Sequence, residues 1–131
     1  MKKVLLIEDD SKICLAISLS LKSMGYELAT ASDAVSAISQ ARKTLPDVVI
    51  LDINLPGGDG FVVAERLQCL TQTATVPIIF ITASKQAGLR ERAAAVGAVK
   101  LLEKPFGVTE LADAIETAFQ ATPVFGERQL G

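Results

Sequence analysis

Five short apolar runs, each followed by a stretch with helix-like spacing, constrain this 131-residue chain more than any other feature. The runs cover residues 3–7, 26–31, 48–51, 76–82 and 98–102, and within each the apolar residues are nearly continuous rather than alternating. A strand with a wet face alternates; a continuous run needs cover on both sides. Between the runs the spacing changes to that of helices. Ile13, Ala16, Ile17, Leu19, Ser20, Leu21 and Met24 predict a first helix, capped by Asp10 or Ser11 and closed by Gly25. Val35, Ala37, Ile38 and Ala41 predict a second, capped by Ser32 or Asp33 and stopped near Pro46. Phe61, Val62, Ala64, Leu67 and Leu70 give a third, followed by a polar connection at 71–75. An alanine-rich helix is expected from a Ser84 cap to about Val96, with Gly97 as its stop. The last helix spans 108–121, with Leu111, Ala114, Ile115, Ala118 and Phe119 on one face. Alternating strands and helices of this kind form an α/β fold, a single doubly wound five-stranded parallel sheet with helices on both faces. A closed barrel needs eight such units, and the chain is too short for that.

The length suits one domain, and hydrophobic residues at 50% against charged residues at 21% leave enough apolar surface to fold it without a metal or disulfide staple. Residues 1–121 are expected to form that domain and 122–131, which show no period, a flexible tail or linker. No apolar run approaches the roughly 20 residues of a membrane span. The opening Met1 to Ile7 meets Glu8, Asp9 and Asp10 too soon for a signal peptide. A cytoplasmic protein without a membrane partner is the expectation. The net charge of −2 offers no basic footprint for direct nucleic-acid binding. Cys14 and Cys69 stand singly, with no CxxC spacing and no histidine in the chain, so both are expected to be small buried thiols rather than zinc ligands or catalytic groups.

The chemistry sits where the runs end. Val48, Val49, Ile50 and Leu51 lead straight into Asp52, and Pro56, Gly57, Gly58 and Gly60 then stop the strand. Parallel strands present all their carboxyl ends on one edge, which is where open α/β sheets bind ligands. That edge collects Glu8, Asp9 and Asp10 after the first strand, Asp52 after the third, Thr82 at the end of the fourth and Lys104 after the fifth. Clustered carboxylates repel one another and call for a cation. Without histidine or cysteine the ligands are oxygens, which selects a hard ion, Mg²⁺ before Ca²⁺. A carboxylate beside such an ion, an amine and a hydroxyl can itself accept a phosphoryl group.

The blocks Leu6-Ile7-Glu8-Asp9-Asp10, Leu51-Asp52-Ile53-Asn54-Leu55-Pro56-Gly57-Gly58-Asp59-Gly60, Ile81-Thr82-Ala83-Ser84 and Glu103-Lys104-Pro105-Phe106 together resemble the receiver domain of bacterial two-component response regulators, over about residues 3–120. The resemblance implies a flavodoxin-like (βα)5 fold with strand order 2-1-3-4-5. It implies that Asp52 is the phosphoacceptor and that Thr82 and Lys104 bind the phosphoryl group. Glu8, Asp9, Asp52 and the backbone carbonyl of Asn54 would hold Mg²⁺, and Lys104-Pro105 would be a cis peptide. A sensor histidine kinase or phosphotransfer protein would supply the phosphoryl group, and a downstream protein or effector domain would read it. Beyond self-catalysed phosphotransfer and autodephosphorylation, no enzyme activity is implied. Asp10, just outside the matched acidic pair, reads as a helix cap.

Leu101 departs from the family pattern, which usually places Tyr or Phe three residues before the lysine as a rotameric partner of the threonine. The surface of the fourth helix, fifth strand and fifth helix would carry the output. Arg90 and Glu110 could form ion pairs across a homodimer there, although Lys100 and Ala114 stand where an acidic and a basic residue would be favoured. Two other readings compete: a Mg²⁺-dependent phosphohydrolase acting on small molecules, and a receiver-like docking module that is not phosphorylated. The first needs an acid/base aspartate two residues after the nucleophile, where this chain has Asn54.

Overall fold

The structure is a computed structural model that describes residues 1–121; the tail expected at 122–131 lies outside the described residues. Five strands, β1 (Lys3–Ile7), β2 (Glu27–Ala31), β3 (Val48–Asp52), β4 (Ile78–Thr82) and β5 (Lys100–Glu103), alternate with helices α1 (Ser11–Ser23), α2 (Ala34–Thr44), α3 (Gly60–Gln68), α4 (Leu89–Ala95) and α5 (Val108–Ala121). All strand pairs are parallel, in the order β2-β1-β3-β4-β5. The α/β doubly wound sheet expected from the apolar runs is therefore the observed fold.

The sheet separates two apolar layers. On one side Leu5, Ile7, Val49, Leu51 and Phe80 meet α2, α3 and α4 through Ala37, Ala41, Phe61, Leu67 and Leu89. On the other, Val4, Leu6, Ile50, Ile79 and Ile81 meet α1 and α5 through Ile17, Leu21, Leu111 and Ile115. Alternate residues of one strand thus enter different layers, which is why β1, β3 and β4 carry apolar residues without a break.

The helix ends follow their capping chemistry. Asp10 accepts from the N–H groups of Lys12 and Ile13 at 2.9 and 3.1 Å, and Asp33 accepts from Ser36 N–H at 2.7 Å. Asp59 does the same for α3 through Val62 N–H at 2.9 Å. Gly25 and Gly97 take the left-handed conformation that ends α1 and follows α4. Among the described residues no helix is long and apolar enough to cross a membrane.

Four expectations need correction. The alanine-rich helix does not start at Ser84: α4 begins only at Leu89, behind Gly88 in the left-handed region. The Ser84 side chain instead accepts from Gln86 N–H at 3.1 Å within the preceding turn. Ala16 and Leu19 are exposed, because only the stripe through Ile13, Ile17, Leu21 and Met24 faces the sheet. In α2 and α3 the expected faces hold for Ala37, Ile38 and Ala41 and for Phe61, Ala64 and Leu67, but Val35, 75% exposed, and Val62 stand outside them, while Ala34 and Val63 are buried in their place. Finally, Cys69 is exposed and Cys14 only half-buried. Cys69 follows Leu67 by two positions, on the opposite side of the helix from the core.

Candidate functional site

Parallel strands bring their carboxyl ends to one edge, and the expected acids, hydroxyl and amine meet there. Glu8 and Asp9 directly follow β1, Asp52 ends β3, Thr82 ends β4 and Lys104 follows β5. Glu8, Asp52 and Thr82 are 2%, 4% and 1% exposed, whereas Asp9 stands in solvent. The Lys104 ammonium lies between the two buried carboxylates, donating to Glu8 Oε1 at 2.5 Å and to Asp52 Oδ2 at 2.8 Å. The other oxygens are held by main chain: Glu8 Oε2 accepts from Asp10 N–H at 3.0 Å and Asp52 Oδ1 from Asn54 N–H at 2.9 Å. The lysine backbone is fixed as well, since its N–H donates to the Thr82 carbonyl at 2.8 Å, and Lys104-Pro105 is cis.

Burial raises the Glu8 carboxyl above its ordinary range and outweighs the hydrogen bonds from Lys104 and from Asp10 N–H that favour its charge. For Lys104, burial alone would lower the ammonium; the hydrogen bonds to Asp52 and Glu8 overcome it, and the group is held above its usual value. The lysine therefore stays charged at neutral pH.

Glu8, Asp9 and Asp52 offer oxygens that all lie within 4.8 Å of one another. At that spacing a pair of charges repels by about 3 kcal/mol at an effective dielectric near 20. Three carboxylates facing one ammonium leave the cluster short of positive charge. An all-oxygen set with two buried members fits a hard divalent ion, and Mg²⁺ suits a site that supplies few carboxylates and leaves room for water.

The loop after β3 holds Asp52 by close backbone approach. A Cβ built on Gly60 would lie 2.4 Å from the Asp52 carbonyl oxygen and 2.8 Å from Ile53 Cα, and Gly60 N–H donates to the Ile53 carbonyl at 2.6 Å. At β4 the Thr82 Oγ1 accepts from Ser84 N–H at 3.0 Å, which leaves its own proton free to donate. Beside Thr82 a cleft of about 280 Å³ is lined by Leu89, the half-buried Leu101 and Glu103. Glu103 pairs with Lys85 at 2.9 Å and with Arg90 at 3.2 Å, tying the loop after β4 and the start of α4 to the end of β5.

The family model of the response regulator receiver domain matches residues 4–116. This chain belongs to the response regulator receiver domain family. Among sequence relatives, the DNA-binding dual master transcriptional regulator RpaA of Synechocystis is 33% identical over 93% of this receiver domain chain and 51% of its own length. The chain spans about half the length of the curated relatives it matches. Among solved structures, chemotaxis protein CheY4 of Vibrio cholerae superposes with a TM-score of 0.84 at 32% identity, covering 90% of this chain and 98% of that one. The receiver domain of a Pseudomonas aeruginosa sensor histidine kinase gives 0.84 at 28% identity, covering 92% and 98%; that structure has a magnesium ion coordinated in its active site cleft.

Glu8, Asp9, Asp52, Thr82 and Lys104 all reach the carboxyl edge of the sheet, and the residues expected to pair across a dimer make contacts within the chain. Arg90 is engaged by Glu103, and Glu110 accepts from Gly107 N–H at 3.1 Å in the first turn of α5. Ala114 is buried against the sheet, so it is no surface pairing position. Sequence reasoning passed over Gly60 and Glu103. Gly60 read only as one of several strand-stopping residues, and Glu103 only as the neighbour of the lysine; their roles depend on contacts between segments far apart in the chain.

Proposed function

We propose that this receiver domain accepts a phosphoryl group from a sensor histidine kinase or a histidine-containing phosphotransfer protein onto Asp52, and that the modified domain changes its binding to a downstream protein or effector domain. One observation carries the reading: the buried Asp52 carboxylate ends β3 with one oxygen on Lys104 Nζ and both acidic neighbours within 4.8 Å.

In the proposed step an Asp52 carboxylate oxygen attacks phosphorus. The new O–P bond forms as the P–N bond to the donor imidazole breaks, and the electron pair remains on the imidazole nitrogen. The ammonium of Lys104 neutralises charge on the phosphoryl oxygens, and the Thr82 hydroxyl donates to one of them. Glu8, Asp9, Asp52 and the Asn54 carbonyl would hold Mg²⁺, which when bound supplies further charge neutralisation at those oxygens. The product is an acyl phosphate, a labile mark suited to signalling rather than turnover. Asn54 has no acid proton to give, which sets this reading above small-molecule phosphohydrolysis.

The receiver unit is taken as residues 1–121, acting in the cytoplasm, with its output on the α4-β5-α5 face, where a homodimer would also form. Leu101 offers no ring to swing between rotamers, so the change at Thr82 would reach that face through the Glu103 ion pairs and the loop after β4. Incubation with Mg²⁺ and acetyl phosphate should add one acid-labile phosphoryl mass to the intact chain, and Asp52→Asn should abolish it. A wild type that binds Mg²⁺ yet never gains that mass would instead be a docking module.

A further inference from the structure

The outward stripe of α2 is unusual for a solvated helix face. Val35, Arg42 and Lys43 are exposed on α2, and beside them stands the half-buried Ile38, which also packs against the layer that holds Ala34, Ala37 and Ala41. Together with Arg66 from the last turn of α3 they line a groove of about 650 Å³. Its apolar end carries Val35, 75% exposed, and its other end three cations. None of the three forms an ion pair among the described residues, while Lys3, Lys85, Arg90 and Lys104 all do. Within α2 itself there is no acidic residue to answer them.

Cations in the last turn of a helix are favoured by its dipole, and that accounts for each one separately. It does not account for their convergence from two helices on one groove, nor for an exposed valine one turn and more away on the same stripe. The chain as a whole is net negative, so this face is positive against the trend of the molecule.

We propose that the α2–α3 groove docks an acidic amphipathic helical segment of a partner protein. An apolar turn of that segment covers Val35 and Ile38, and a following turn rich in Asp or Glu meets Arg42, Lys43 and Arg66. Such helix-in-groove recognition uses anchors one turn apart and charge at the rim. The mixed lining selects a polypeptide over nucleic acid: phosphates would use the cations and leave the valine wet. This surface is separate from the Asp52 edge and from the α4-β5-α5 face, and it does not depend on phosphorylation.

The test uses the full 131-residue chain, labelled with ¹⁵N, and a synthetic helical peptide with a leucine-rich turn followed by a glutamate-rich turn. Amide shifts confined to α2 and α3 are expected, with affinity falling as salt rises. The triple variant R42E/K43E/R66E should weaken binding about tenfold or more, and Val35→Lys should weaken it while keeping the wild-type fold by circular dichroism. All four positions are solvent-exposed, so these variants leave the core intact. Shifts centred elsewhere, or equal binding by wild type and the triple variant, would overturn the proposal. A short DNA duplex that produced the same shifts at equal affinity would overturn the choice of a polypeptide partner.

Discussion

Gly60→Ala should be among the most damaging single-methyl additions in the molecule, although Gly60 itself has no left-handed φ. The new Cβ would meet the Asp52 carbonyl oxygen at 2.4 Å, against an ordinary lower limit of 3.4 Å. Relief therefore needs the start of α3 to move by about 1 Å. The obstacle is backbone of β3, which is buried on both faces and cannot yield. Overpacking of this kind costs about 1–3 kcal/mol, and movement of α3 also loosens the Gly60–Ile53 hydrogen bond, about 1 kcal/mol. The stiffer unfolded chain returns about 0.4–1 kcal/mol. The net expectation is a loss of roughly 1.5–3 kcal/mol. With an unfolding entropy of about 2.1 cal/mol/K per residue, that lowers Tm by roughly 5–11 °C.

Urea unfolding followed by far-UV circular dichroism measures the loss directly, with Gly25→Ala as the comparison. Gly25 has φ +89° and open space where a Cβ would go, so its substitution costs backbone strain alone, about 1 kcal/mol. If Gly60→Ala unfolds within about 0.5 kcal/mol of wild type, or proves milder than Gly25→Ala, close backbone approach is not what fixes the Asp52 loop.

Phe80→Ala should cost about 3–5 kcal/mol in the same assay, since the ring is fully buried and sits 4.9 Å from that of Phe61; a loss under about 1 kcal/mol would mean that the layer under α3 collapses around the void. Lys104→Ala leaves Glu8 and Asp52 facing each other without a counter-charge, so the variant should be less stable without metal and gain more in Tm than wild type when Mg²⁺ is added, as read by thermal unfolding with and without the ion. Equal gains would show that lysine and metal do not share those carboxylates. Glu103 is held below its ordinary 4.5, first by the hydrogen bond from Lys85 and then by that ammonium's charge and by Arg90. A depressed carboxylate adds stability above its unfolded value and loses it as pH falls through its folded one. Lys85→Met should therefore raise the Glu103 titration, followed by NMR, more than Arg90→Met does, and should flatten the acid limb of stability below pH 4.5. The reverse order would remove Lys85 as the main partner.

Much of the fold was legible because β1, β3 and β4 are buried on both faces and so carry unbroken apolar runs. Asp52 and Glu8 could be located for a related reason: each directly follows such a run. Helix faces were harder to read. In α2 the fully buried residues are alanines, whose hydrophobicity is slight, so Val35 was counted with Ala37, Ile38 and Ala41 while the buried Ala34 was passed over. The start of α4 was hidden because Ser84 is a good cap whose side chain serves a tighter turn, while Gly88 sets the helix start without any side-chain signal. Gly60 and Glu103 could not be found from local pattern at all, because what defines them is the proximity of β3 in one case and of α4 in the other.

The lysine that joins Glu8 to Asp52 lies 96 residues from the first and 52 from the second. On a ribosome the two acids emerge early and their counter-charge only after β5, the last of the five described strands. A chain lacking β5 and the loop after it would hold the two carboxylates, at the ends of the adjacent strands β1 and β3, without that counter-charge. The electrostatics of the site therefore close only once β5 has joined the sheet and brought Lys104 to the two carboxylates.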